Sequence, residues 1–132
     1  MIKIISSSNS KADFPTVLEV SGRLDSQASI ALLGSVQRLI EEDKHQIIID
    51  FDKLEIVSSE GLAALVQSKS QLTKLNGALR LANLHGRALE VFHLVHFDRL
   101  FDLHLNIEEA VEQFAMYRKN TCEEQDEGVH GD

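Results

Sequence analysis

The chain has 132 residues, 43% of them apolar, and a net charge of −8. That length fits one domain with a sizeable core, and the acidic balance argues against nucleic acid or an anionic membrane surface as the main partner. The only cysteine, Cys122, lies in a polar C-terminal stretch, so no intrachain disulfide framework exists. The opening run "MIKIISSS" is too short for a signal peptide, and no stretch approaches a membrane span, so a cytoplasmic protein is expected.

Residues 2–5, with Ile2, Ile4 and Ile5, read as a strand, followed by the polar loop "SSSNSKAD". A second strand covers Thr16 to Ser21. In "DSQASIALLGSVQRLIEED", Ala28, Leu32, Val36, Leu39 and Ile40 recur at helical spacing, and Asp25 or Ser26 can cap that helix. The apolar run "QIIIDF", residues 46–51, predicts a central strand buried on both faces. Leu62, Leu65, Val66, Leu72 and Leu75 describe a second helix ending at Asn76–Gly77, where glycine tolerates the left-handed position. "ALRLANL" alternates as a strand, with Leu79 and Leu81 on one face and Arg80 on the other. A short helix in "RALEVFHLV", a strand within "LFDLHL" and a closing helix in "IEEAVEQFAMY" complete the pattern.

The order β-β-α-β-α-β-α-β-α predicts an α/β fold. Its mixed sheet has an antiparallel N-terminal strand pair and is covered by helices joined through right-handed crossovers. The folded domain is expected over residues 1–117. The acidic stretch 118–132 reads as a disordered tail.

The chemistry concentrates in "EIVSSEGLAALVQ", residues 55–67, where a strand-like region gives way to a helix across Ser58, Ser59 and Glu60. The first N–H groups of a helix lack intrahelical partners, and the helix dipole there favours negative charge. A serine at that point serves as an N-cap, worth ~1 kcal/mol, or as a phosphoacceptor whose phosphate, of charge ~−2, rests on those free N–H groups. On physical grounds alone capping is the stronger reading. A nucleophilic serine is disfavoured: "SSEGLA" is not a G-x-S-x-G elbow, and no histidine has a recognisable place in a triad. Asp50, ending "IIID", invites comparison with a receiver-type phosphoacceptor. No acidic pair follows the first strand and no lysine follows the "LRLAN" strand to support it, so a strand-end acid facing solvent is expected. Glu90, His93 and His96 follow at i+3 steps, but each step drifts ~60° around a helix and no second cluster completes a metal site. No cofactor, no metal and no enzymatic activity are expected.

Taken together, "GRLDSQASIALLGSVQRLI", "QIIIDFDKLEIVSSEGLAALV" and "GALRLANLHGRALEVFHLVHFDRLF" resemble the STAS domain, the fold of bacterial anti-sigma-factor antagonists. The resemblance covers about residues 14 to 113. It rests on the order of elements, the G-x-L-D turn at Gly22 to Asp25, and a loop similar to D-S-[ST]-G-[LVI]-[GA], written here Ser58, Ser59, Glu60, Gly61, Leu62, Ala63. It implies partner switching: the unmodified antagonist binds a serine-kinase anti-sigma factor, the kinase phosphorylates the first serine of the loop, and a serine phosphatase restores binding. By motif position the acceptor is Ser59, with Ser58 as the alternative. The implied partner surface is Asp25, Ser58, Ser59, Glu60, Gly61 and Leu62. Ser58 stands where the family has aspartate, and Glu60 where it has serine or threonine. Charge beside the acceptor is thus kept but displaced by two positions. The resemblance also admits a STAS regulatory subunit that binds the ATPase of a lipid ABC transporter. A small α/β enzyme or receiver using Asp50 is the distant alternative.

Overall fold

The computed structural model describes residues 2–6 and 15–112. In chain order the elements are β1 (Ile2–Ser6), β2 (Thr16–Val20), β3 (Gly22–Leu24), α1 (Ser26–Glu41), β4 (Gln46–Asp50) and β5 (Leu54–Val57). After these come α2 (Ser59–Lys74), β6 (Ala78–Ala82), α3 (Gly86–Leu94), the single turn α4 (Phe97–Leu100) and β7 (Asp102–His104). Residues 107–112 are helical, with the Asn106 side chain accepting from Glu109 N–H at 2.8 Å. The rest of the expected closing helix and the acidic stretch 118–132 lie outside the described residues.

β4 sits at the centre because Ile47, Ile48 and Ile49 leave it no solvent-facing side, and all three are fully buried. The main sheet has the order β1-β2-β4-β6-β7. It is a mixed sheet: β2, β4, β6 and β7 run parallel, and β1 is antiparallel to β2. Parallel neighbours need crossovers. Because the order moves steadily from β2 to β7, crossovers of one hand place α1, α2 and α3 on the same face. There Leu32, Val36 and Leu39 of α1, Leu65 and Leu72 of α2 and Phe92 of α3 close over Leu18, Ile49 and Leu81. Each such side chain contributes roughly 1.5–3 kcal/mol of burial. The opposite face is smaller, with Val17, Ile48 and Ala82 packed under Ala110. Arg80 points to this second side, as its alternation with Leu79 and Leu81 predicts, and meets Asp102 at 2.8 Å.

Three expectations change. The Gly22–Asp25 segment is not a turn: Gly22–Leu24 is strand β3, which pairs in parallel with β5 in a separate two-stranded sheet. A strand this short carries too little pattern to be recognised from its own residues. At the end of α2 it is Asn76, not Gly77, that takes the left-handed conformation, with φ 61°. Asn76 and Gly77 N–H bond to the Thr73 and Leu72 carbonyls, closing a Schellman motif. Gly77 is required for a different reason, since a Cβ there would collide with the His45 carbonyl oxygen. Asp50 does not face solvent. It is 6% exposed and accepts from Asn83 Nδ2 at 2.9 Å and Asp52 N–H at 3.0 Å, so it fastens β4 to the segment after β6.

Candidate functional site

The small β3–β5 sheet brings the two helix starts together. Its register pairs Leu24 with Val57, and the next residues, Asp25 and Ser58, are the N-caps of α1 and α2. Asp25 Oδ1 accepts from Ala28 N–H at 3.0 Å, which decides the first cap in favour of Asp25 over Ser26. Ser58 makes two side-chain bonds. Its Oγ accepts from Gly61 N–H at 3.1 Å and donates to the Leu24 carbonyl at 2.9 Å. The same carbonyl also accepts from Ser58 N–H at 3.0 Å. Leu24 O thus holds the α2 junction against the α1 junction through two bonds.

Gly61 belongs to this construction. It is buried, and a Cβ built on it would lie 2.7 Å from both the Leu24 carbonyl oxygen and Leu24 Cγ. Nothing larger than hydrogen fits without displacing the backbone that Ser58 grips. The sequence reading counted Gly61 in the partner surface; its position gives it a positioning role from within. Leu62 is half-buried against the core.

Ser59 and Glu60 are different. Both are exposed, in the first turn of α2. Among the described residues the Ser59 hydroxyl has no hydrogen-bond partner. Ser58 already satisfies the Gly61 and Leu62 N–H groups, while those of Ser59 and Glu60 precede any intrahelical acceptor. An anion on Ser59 would therefore find the dipole and free N–H groups at hand.

Beside this edge, Ser29, Ile30 and Leu33 of α1 face Glu60, Ala63 and Gln67 of α2 across a groove of about 300 Å³. Ile30 is 71% exposed at its rim. Among the described residues Glu60 is the only charged one lining it, and Asp25 precedes the lining residue Ser26. The sequence singled out the two acids but not Ile30, which reads as one more apolar position of α1.

Among the described residues no group of histidine, cysteine and carboxylate side chains could hold a metal ion. His93 instead approaches Asp98 at 3.5 Å, and His96, with φ 62°, lies beyond the end of α3. No described helix is long and apolar enough to cross a membrane.

One edge of this α/β domain thus carries two capped helix starts, with an exposed serine in the first turn of α2. The sequence matches the family model of the STAS domain over residues 7–110, and the chain belongs to that family. Among solved structures, it is similar to an anti-sigma factor antagonist from Mycobacterium paratuberculosis, at 22% identity and a TM-score of 0.73, covering 87% of this chain and 95% of that one. The Bacillus cell fate determinant SpoIIAA in its phosphorylated form is similar at 18% identity and a TM-score of 0.66, covering 86% of this chain and 98% of that one. A sulfate transporter family protein from Wolinella succinogenes is similar at 17% identity and a TM-score of 0.69, covering 78% of this chain and 86% of that one. At these identities the likeness is one of fold. Among curated proteins, none matches this sequence.

Proposed function

We propose that this chain is an anti-sigma-factor antagonist of a partner-switching pathway, controlled by phosphorylation of Ser59. Unmodified, it binds a serine-kinase anti-sigma factor through the edge formed by Asp25, Ser59, Glu60 and the neighbouring groove. The observation that carries this reading is the division between the two serines. Ser58 Oγ is engaged as donor and acceptor, whereas Ser59 is exposed and its hydroxyl has no partner among the described residues. Similarity in fold to phosphorylated SpoIIAA and to other antagonists supports the same role.

Phosphate on Ser59 leaves the fold alone and changes what can dock. A charge of ~−2 joins Glu60 and Asp25 on a surface that a partner must cover closely. Loosening a nanomolar complex a thousandfold takes only ~4 kcal/mol, within reach of one desolvated, unpaired dianion. A serine phosphatase resets the switch. The chain itself performs no catalysis in this scheme.

The test is to incubate the protein with the candidate kinase and ATP and to map the phosphate by mass spectrometry. Transfer should vanish in Ser59→Ala and persist in Ser58→Ala, and the phosphorylated protein should leave the complex. Phosphate on neither serine, with the complex intact, overturns the switch. A second reading is a STAS regulatory subunit that binds the ATPase of a lipid ABC transporter, supported to the extent that a sulfate transporter family protein shares this fold. Binding to such an ATPase regardless of Ser59 phosphorylation would select it.

A further inference from the structure

Helix α2 has a second flank. Val66, Lys69, Ser70, Thr73 and Lys74 on that side, with Leu100 of α4, line a groove of about 280 Å³. Val66 and Leu100 are 39% and 43% exposed, a sizeable apolar floor on an acidic protein. Among the described residues no carboxylate lines this groove and neither lysine has an ion-pair partner. Lys74 stands in the last turn of α2, where the helix dipole by itself favours a cation. Lys69, a turn and more earlier and half-buried, has no such reason to be there.

We propose that this groove is the docking site of the chain's own acidic segment, residues 118–132. In that segment Glu123, Glu124, Asp126 and Glu127 fall within five residues. On a chain of net charge −8 most of the surface repels such a cluster, and the groove on the opposite flank repels it directly through Glu60 and the adjoining Asp25. Lys69 and Lys74 offer two unpaired cations beside an apolar floor, against which Val129 can rest. The chain is also long enough. With 107–117 helical as the sequence predicts, residues 113–117 rise about 8 Å and 118–123 reach up to about 20 Å more, together comparable to twice the ~13 Å radius of gyration of a domain this size. Docked there, the segment shades one flank of α2 and leaves the flank bearing Ser59 open. This holds whatever the serine-bearing edge binds.

Cys122, the single cysteine, sits beside the acidic cluster and accepts a nitroxide label at one position of the full chain. With the label in place, amide signals of Lys69 to Lys74 and Leu100 should lose the most intensity, and the loss should fall off along α2 towards Ser59. The loss should disappear in the Lys69→Glu, Lys74→Glu double variant and in about 1 M salt, where the Debye length falls to roughly 3 Å. Broadening centred on Ile30 and Ser59, spread evenly, or absent overturns the proposal. So does broadening reproduced by mixing isotope-labelled chains without nitroxide and nitroxide-bearing chains without isotope, because the contact is then between copies.

Discussion

The two flanks of α2 carry grooves of nearly the same size, about 300 and 280 Å³, with opposite charge. Glu60 lies in the first turn and marks one; Lys74 lies in the last turn and, with Lys69, marks the other. The helix dipole favours this order, stabilising acids at the start and bases at the end. A single helix therefore sorts charge along its length, and the surfaces at its two ends inherit opposite signs. Under the proposals above, the start of the helix would suit a cation-bearing partner and its finish an acidic segment.

The largest expected effect lies at the start of the helix. Gly61→Ala drives a methyl into Leu24, 2.7 Å from its carbonyl oxygen, and should destabilise the fold by about 1–3 kcal/mol in a denaturant titration. Amide shifts should cluster around Ser58 and spare Lys69 to Lys74. An equally large response at both ends would mean that the two halves of α2 are not separable. Next in size, Ser58→Ala should cost ~1 kcal/mol through the lost cap, whereas Ser59→Ala should stay within about 0.5 kcal/mol. Equal costs would contradict the division of roles between the two serines.

Charge reversals come third. Glu60→Lys and Lys74→Glu should each destabilise by about 0.5 kcal/mol at low salt, and less as salt rises. Lys69→Glu, far from either terminus, should show no dipole effect, and a cost matching that of Lys74→Glu would place the two lysines in one role. Smallest for stability is Ile30→Asp, at a site 71% exposed, expected within about 0.5 kcal/mol of the parent. That variant should still lose affinity for the anti-sigma kinase, and unchanged binding would remove the α1–α2 groove from the partner surface.

The parts of this molecule legible in its sequence are those fixed by local pattern. Ile47 to Ile49 announce a buried central strand because no polar residue interrupts them. Asp25 announces a helix start because a short acceptor precedes a helical repeat. What escaped depends on residues distant in the chain. The burial of Asp50 depends on Asn83, 33 residues away, and no local pattern signals it. The β3–β5 pairing went unseen because each strand gains its meaning only from the other. The choice between Ser58 and Ser59 followed a motif; what separates them structurally is the Leu24 carbonyl, 34 residues before Ser58.

That carbonyl also bears on Ser58, one of the two positions, with Glu60, at which this loop differs from the motif it resembles. A carboxylate at position 58 would cap α2 as well as a hydroxyl does, but having no proton it could not donate to Leu24 O. It would set one electronegative oxygen against another. Serine at 58 lets a single atom latch both ways, so the junction trades charge for a stitch between segments. Glu60, outside the stitch, places a charge on the solvent side. The loop has separated two duties that a lone aspartate would have to combine, fastening the frame and signing the surface.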